Sequence, residues 1–217
     1  MKHLRFSFDV VSPYAYLAFE RLPLVLEGLS YEVSYEPILF AALLEHWGQK
    51  GPAEIEPKRE WTYRQIGWLG HRLGVPVQMP AQHPFNPLAL LRLLRASAPQ
   101  GYKPNRWACE QVLRHVWRGG ADANDVGRLA SLEKVLSPQR DPKSGDVKDE
   151  LKAATADAAA RGLFGVPAVE VDGRVFWGLD GLDMLSAYLR GDAWFDGSQW
   201  ADAAAVPVGV RRVPKAQ

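Results

Sequence analysis

Alternating apolar and polar residues open the chain and predict its first strands. Residues 3–10 (HLRFSFDV) and 31–37 (YEVSYEP) alternate with a period of two, which is typical of β-strands. Between them, Ser12 and Pro13 supply an N-cap and a first helical residue, so a helix is predicted to about residue 29, with Pro23 as the point where it could kink or be interrupted. Because strand-helix-strand crossovers are almost always right-handed, the two strands are expected to be parallel neighbours.

From residue 38 to about 148, helical spacing of apolar residues replaces the alternation, and no strand is predicted. Most of the predicted helices begin or end at Gly, Pro, Asn or Asp, and they span residues 58–72, 88–97, 105–118 and 126–136. The stretch 137–145 (SPQRDPKSG) is rich in turn-forming residues, so it is predicted to end this helical block.

The last third of the chain returns to mixed structure. Residues 147–161 are rich in alanine, which has the highest helix propensity, so a helix is predicted there. An Asp-Gly pair joins two short apolar runs, residues 168–171 and 174–177, and predicts a β-hairpin. A final helix is predicted over residues 180–190. The order βαβ, helical block, αββα predicts an α/β, thioredoxin-like fold with an all-helical insertion.

This order also predicts the domain organisation. We expect residues 1–38 and 147–193 to form a discontinuous thioredoxin-like domain and residues 39–146 to form the helical insertion. Residues 194–217 are rich in Ala, Val, Gly and Pro with little periodicity, and are interpreted as a C-terminal tail.

Composition narrows the range of partners. The chain has 26 basic and 25 acidic residues, so its net charge gives no reason to expect nucleic acid or a membrane as a partner. It has no apolar segment of the length that a secretory leader or membrane span requires, so a cytoplasmic protein is expected. The single cysteine, Cys109, excludes an internal disulfide, and the histidines lack metal-ligand spacing, so no metal is expected.

Ser12 is the first candidate for chemistry, because a helix N-terminus stabilises an anion placed beside it. In a thioredoxin scaffold the reactive cysteines lie at this point, but residues 12–15 (SPYA) contain none. Disulfide exchange by protein thiols at this position is therefore excluded. A serine hydroxyl could instead donate a hydrogen bond to a thiolate that a ligand brings. By its local pattern alone, Ser12 is more simply interpreted as an N-cap.

Two later segments are further candidates. Val166 precedes Pro167 at the start of a strand, where a cis X–Pro turn would leave the Val166 backbone free to pair with an extended ligand. An ordinary trans proline is the alternative. Residues 178–180 (GLD) join the last strand to the last helix, and could hold the carboxylate and ammonium groups of a free amino acid. The alternative is that Asp180, with Asp183 three residues on, only caps the helix.

Three stretches, taken in order, resemble the 2-hydroxychromene-2-carboxylate isomerases. They are FSFDVVSPYAYLA (6–18), MPAQHPFNPLALLRLL (79–94) and FGVPAVEVDGRVFWGLDGLDML (164–185), and the likeness extends over about residues 4–190. These isomerases belong with the kappa-class glutathione transferases, in the DsbA-like branch of the thioredoxin superfamily. The resemblance implies glutathione as cofactor, a small aromatic carboxylate as substrate, a homodimer, and a role in the degradation of naphthalene-type aromatic compounds.

The resemblance also implies site residues. Ser12 matches the catalytic serine that contacts the glutathione sulfur, and Val166 matches the residue that pairs with the cysteinyl backbone. The remaining cofactor-binding positions are Pro167, Trp177, Gly178, Leu179 and Asp180. Phe85 and Asn86 fall in the part of the insertion that lines the substrate cavity. Two departures are a Gly at 181, where the family often has Arg, and poor alignment over residues 48–56, where substrate contacts are expected.

The implied reaction interconverts 2-hydroxychromene-2-carboxylate and trans-o-hydroxybenzylidenepyruvate by reversible addition of the glutathione thiolate. One alternative is a kappa-class-like transferase that conjugates glutathione to an electrophile. Another is a non-catalytic thioredoxin-fold module that binds extended peptides. Glutathione binding separates the module from both enzymes, and consumption of glutathione separates the two enzymes from each other.

Overall fold

A four-stranded mixed sheet lies at the centre of the computed structural model, which describes residues 1–210. The strands are β1 (Lys2–Phe8), β2 (Tyr31–Pro37), β3 (Ala168–Val171) and β4 (Arg174–Trp177), in the spatial order β2-β1-β3-β4. β1 and β2 are parallel, as the crossover rule predicts, whereas β1–β3 and β3–β4 are antiparallel pairs. All four predicted strands are present, although β1 ends at Phe8 and not at residue 10.

Helices cover the sheet and form the block between β2 and β3. Those of the described range are α1 (Pro13–Val25), α2 (Phe40–His46), α3 (Glu56–Leu73), α4 (Leu88–Ala96), α5 (Arg106–Trp117), α6 (Val126–Leu136), α7 (Gly145–Ala160), α8 (Gly181–Leu189) and α9 (Gln199–Ala204). The boundaries of α3 to α8 lie within two residues of the predicted ones. The sequence pattern does not predict α2 or α9, because helices of seven and six residues show too little periodicity.

The first helix is shorter than predicted. It ends at Val25 and not near residue 29, after a proline, Pro23, in its last turn. A proline has no N–H to donate to the carbonyl four residues earlier, which here is that of Phe19. The Arg106 guanidinium of α5 donates to that carbonyl oxygen at 3.2 Å, and so satisfies the acceptor that Pro23 leaves free.

Residues 1–210 form two clusters of buried apolar side chains, and the larger one runs through the sheet and the helical block. Phe6 and Phe8 of β1 and Tyr16 of α1 are fully buried in it, together with Cys109 and Trp117 of α5. Burial also raises the pKa of the Cys109 thiol above its ordinary range, so this cysteine lies in the core as an unreactive thiol. Although the core is shared, the division at residues 38 and 147 stays a prediction.

A buried ion pair anchors the helical block to the sheet. Arg95 of α4 is fully buried and donates to the Glu36 carboxylate of β2 and, at 2.7 Å, to the Pro37 carbonyl oxygen. Lys103 approaches the same carboxylate at 2.7 Å. Burial alone would raise the pKa of Glu36, but the two cations lower it, so the carboxylate stays charged.

Part of the predicted tail is structured and packs against the last strand. A short 3-10 turn, Ala193–Phe195, and α9 bring Phe195 and Trp200 onto Phe176 of β4, with ring centroids 6.2 and 5.8 Å apart. Phe195 is only 6% exposed. Residues 211–217 of the predicted tail lie outside the described residues.

Candidate functional site

A cavity of about 1160 Å³ lies where β1 gives way to α1. Its walls come from the β1–α1 turn, from α2 and the loop after it, from α3, and from segments 83–85, 164–167 and 177–183. Both the thioredoxin-like part, with its sheet, and the helical block therefore contribute to the cavity wall. Within residues 1–210, no helix is long and apolar enough to cross a membrane, and no three potential metal ligands cluster together.

Ser12 lies in this wall at the N-cap of α1. Its Oγ accepts a hydrogen bond from the Ala15 N–H at 3.2 Å, so the simpler interpretation as an N-cap is correct as far as it goes. The hydroxyl faces the Val166 carbonyl oxygen at 3.5 Å, which is at the outer limit of a hydrogen bond. The hydroxyl proton is therefore only weakly engaged, and is free to turn towards a better acceptor in the cavity.

The segment at 166–167 lies next to Ser12 in the cavity wall. The Val166–Pro167 peptide bond is cis, and Val166 is 7% exposed. Within residues 1–210, the Val166 N–H makes no hydrogen bond to another backbone group. The Pro167 carbonyl accepts from the Gly178 N–H at 2.9 Å, which ties this segment to the third candidate segment. The structure thus brings together three segments that the sequence separates by up to about 165 positions.

The third segment follows β4. Trp177, Gly178, Leu179 and Asp180 all line the cavity. Gly178 has φ +90°, and a Cβ there would lie 2.4 Å from the Asp180 carboxylate oxygen, so this position requires glycine. The backbone can therefore pass close to the carboxylate group, and the Leu179 and Asp180 N–H groups make no backbone hydrogen bond within residues 1–210.

Asp180 occupies the N-cap position of α8, but the alternative in which its side chain caps the helix is not what the structure shows. Its side chain makes no cap hydrogen bond to α8, and its backbone is already in the right-handed helical region, unlike the extended backbone that a capping side chain needs. The Asp180 carboxylate has no cation within ion-pair distance in the described part of the chain. This leaves a charged oxygen pair available to a cationic group in the cavity.

The two predicted substrate residues are placed differently. Phe85 lines the cavity, whereas Asn86 is exposed and is not among the lining residues. The Asn86 amide oxygen accepts from the Leu88 N–H at 3.0 Å, and so supports the start of α4. The family resemblance implied that Asn86, with Phe85 beside it, lines the substrate cavity, but only Phe85 does so.

Asp9 is a cavity residue that the sequence analysis did not single out. It is fully buried at the end of β1, and its carboxylate accepts from the Val11 N–H at 3.0 Å and the Phe40 N–H at 2.8 Å. Burial raises the pKa of Asp9 to about 7, although these hydrogen bonds act in the opposite direction. An acidic residue inside an apolar run (FSFDVV) was the available signal.

Positive charge that has no ion-pair partner within residues 1–210 also lies along the wall. Arg21, Lys50, Lys58 and Arg72 line the cavity, and none of the four forms an ion pair within residues 1–210. Lys50 belongs to segment 49–54, which lines the cavity over its whole length. The poorly aligned region 48–56 thus contributes to the wall, and the charges favour an anionic ligand.

A family comparison covers both the sheet and the helical block. The sequence model of the DSBA-like thioredoxin domain matches residues 3–190 of the chain. This range extends from β1 to the end of α8, and includes each segment of the cavity wall described above.

Individual proteins are similar to this chain over most of its length. The 2-hydroxychromene-2-carboxylate isomerase of Sphingobium xenophagum is 27% identical over 195 residues, covering 87% of this chain and 98% of that protein. Glutathione S-transferase kappa 1 of Homo sapiens is 26% identical over 211 residues, covering 86% of this chain and 90% of the transferase. A solved 2-hydroxychromene-2-carboxylate isomerase structure matches with a TM-score of 0.76 at 22% identity, covering 93% of this chain and 98% of that one. The predicted thioredoxin-like fold with a helical insertion is confirmed.

Proposed function

We propose that this chain, which belongs to the DSBA-like thioredoxin domain family, is an enzyme that binds glutathione and uses its thiolate as a nucleophile. One observation carries the proposal: the Ser12 hydroxyl faces the cavity at the N-terminus of α1, where the fold would otherwise place a reactive cysteine. The only cysteine, Cys109, is buried in the core. The thiol must therefore come with a ligand, and relatives named glutathione transferases support glutathione as that ligand.

The walls of the cavity suit the functional groups of glutathione in order. The Ser12 hydroxyl and the α1 N-terminus would stabilise the sulfur anion. The Val166 N–H, which has no backbone partner within residues 1–210, would pair with the cysteinyl backbone, as a strand edge pairs with an extended peptide. The Asp180 carboxylate, which forms no ion pair in the same range, would hold the γ-glutamyl ammonium, and Lys50, which also lines the cavity, would hold the glycyl carboxylate.

The reaction that we propose is isomerisation of 2-hydroxychromene-2-carboxylate or a related aromatic ketoacid, as the name of one relative suggests. The cyclic substrate first opens to an unsaturated ketoacid. The thiolate adds to the carbon–carbon double bond, forming a C–S bond and moving the electron pair into an enolate. Rotation about the resulting single bond and expulsion of the thiolate give the trans product, with glutathione regenerated.

A second candidate is conjugation, and the 26% identity to a kappa-class transferase is the observation in its favour. The two reactions begin with the same thiolate attack and differ in what leaves. A displaced leaving group ends the reaction with glutathione consumed, whereas expulsion of the thiolate returns it. Glutathione measured before and after turnover decides between them.

We also propose a homodimer in the cytoplasm, where glutathione is kept in its thiol form. Trp61 and Trp68 of α3 are 62% and 55% exposed, and isolated large apolar side chains of this kind are enriched at protein interfaces. Sedimentation velocity tests the proposal. The Trp68→Glu variant should sediment as a monomer if this face of α3 holds two copies together, and unchanged sedimentation would place any interface elsewhere.

Calorimetric titration with glutathione tests the proposed function as a whole. The thiolate proposal predicts saturable binding of glutathione, release of a proton at neutral pH, and weaker binding of S-methylglutathione, which cannot form a thiolate. Binding of extended peptides in preference to glutathione would support the non-catalytic module. Equal binding of the two glutathione forms without proton release would contradict the role given to Ser12.

A further inference from the structure

The turn between β1 and α1 is held by hydrogen bonds from both sides. On one side, the buried Asp9 carboxylate accepts from the Val11 N–H at 3.0 Å. On the other, two rings of the helical block approach consecutive carbonyl oxygens: Trp117 Nε1 donates to Val10 at 3.0 Å, and His83 Nε2 lies 2.8 Å from Val11. His83 is the member of this pair of rings that lines the cavity.

The partners of His83 fix which of its nitrogens carries the proton. The Val11 carbonyl can only accept, so Nε2 must be the protonated nitrogen. In the neutral ring, Nδ1 is then an acceptor, and the Tyr63 hydroxyl lies 2.8 Å from it and 2.7 Å from the His83 carbonyl oxygen. The single Tyr63 hydroxyl proton can be donated to only one of these two acceptors. Burial lowers the pKa of His83, which agrees with a neutral imidazole.

We propose that His83 is a positioning residue for Ser12, acting through the carbonyl group of Val11. The carbonyl of Val11 and the N–H of Ser12 belong to one planar peptide unit, so a hydrogen bond to the first orients the second. That N–H donates to the Asp9 carbonyl at 3.1 Å. The imidazole thereby fixes the turn that sets the direction of the Ser12 side chain. This inference rests on the proposed function for its catalytic meaning, but its test does not require glutathione.

Two substitutions separate the hydrogen bond from the packing of the ring. The His83 ring packs against Trp117 and Phe85, with centroids 5.6 and 6.3 Å apart. His83→Phe keeps an aromatic ring between these neighbours and removes the donor. His83→Gln loses the ring but carries an amide N–H that reaches about as far as Nε2. If the ring acts only by filling space, His83→Gln should disturb the turn and His83→Phe should not. Positioning by the hydrogen bond predicts the reverse.

A thiol introduced by Ser12→Cys serves as the probe, because it reports the anion-stabilising field at this position without any ligand. Its alkylation rate by iodoacetamide, followed against pH, gives the pKa of the introduced thiol. Cys109 is fully buried, so it should not be alkylated in the folded protein. In this background, His83→Phe should raise the alkylation midpoint by roughly one pH unit, since one hydrogen bond that orients the turn is lost. His83→Gln should stay within about a third of that shift.

An unchanged midpoint in the His83→Phe protein overturns the inference, and so does an equal shift in both variants. Thermal unfolding shows whether each variant is folded. If His83→Phe does not fold, Tyr63→Phe replaces it. This substitution removes the hydroxyl that contacts Nδ1, and should raise the alkylation midpoint by a smaller amount. An unchanged midpoint in that variant would likewise overturn the inference. Calorimetry of the unmodified protein with glutathione separately decides the proposed function, so failure of one leaves the other result standing.

Discussion

The hydroxyl oxygen of Ser12 lies 3.5 Å from the carbonyl oxygen of Val166, although 154 positions separate the two residues in the chain. This approach joins the start of α1 to the cis-proline turn before β3, across the cavity. A thiolate placed beside Ser12 would draw its hydroxyl proton away from this carbonyl oxygen, while the adjacent peptide chain pairs with the Val166 N–H. The predictions below test this arrangement and the fold that supports it.

Replacing Ser12 by alanine should reduce kcat by about 10²- to 10³-fold, the usual effect of losing one donor to a developing anion. The protein should still fold, because losing an N-cap costs about 1 kcal/mol. Steady-state kinetics and the ultraviolet absorbance of the bound thiolate measure the catalytic effect, and thermal unfolding measures the effect on stability. Asn105→Ala is the matched control. Asn105 caps α5 by accepting from the Ala108 N–H at 2.8 Å, and it does not line the cavity. Wild-type turnover in Ser12→Ala would remove Ser12 from the mechanism.

Asp180→Asn should weaken glutathione binding about fivefold, because an exposed ion pair contributes up to about 1 kcal/mol. The change should leave thermal stability unaltered, since the Asp180 side chain makes no cap hydrogen bond. Calorimetry with glutathione and with an analogue that lacks the γ-glutamyl amino group measures the effect. The analogue should bind both proteins equally. A fivefold loss for the analogue as well would show that Asp180 does not recognise the ammonium group.

The buried carboxyl of Asp9 should make stability depend on pH. Its pKa in the folded protein is about 7, above the ordinary value of 3.8, so folding favours the protonated form. The resulting stabilisation is fully present below pH 3.8 and is lost as pH rises through about 7. The loss has a slope of at most about 1.4 kcal/mol per pH unit. Urea unfolding across this range should show a flatter pH dependence for Asp9→Asn than for the wild type, and parallel curves would contradict the role of burial.

Phe195→Ala should destabilise the protein by about 3 to 5 kcal/mol, the usual cost of removing a buried phenylalanine ring. Phe195 is 6% exposed and packs on Phe176, Tyr188 and Trp200. Chemical denaturation measures the change. The control is Val206→Ala, since Val206 is 72% exposed and should shift stability by no more than about 0.5 kcal/mol. A similarly small effect of Phe195→Ala would mean that the segment after α8 adds little to the fold.

Local pattern was sufficient for most of the elements. N-caps, prolines and glycines act within one turn of helix, so the sequence predicts α3 to α8 and all four strands closely. The same reasoning fails where the decisive contact is distant. Asp180 has the local pattern of a cap, yet its backbone conformation leaves its carboxylate facing the cavity, and the short helices α2 and α9 form only against the rest of the fold.

The sequence by itself determined the order of strands and helices, the absence of a reactive cysteine at the start of α1, and the identity of three candidate segments. Only the tertiary structure decided that these segments share one cavity, that Phe85 reaches it and Asn86 does not, and that Asp9 belongs to it. It also decided that His83 contacts Val11, which lies 72 positions earlier. The physical reason is range: spacing along the chain encodes contacts within a turn or a strand, whereas a cavity is made by side chains that meet only after the core has packed.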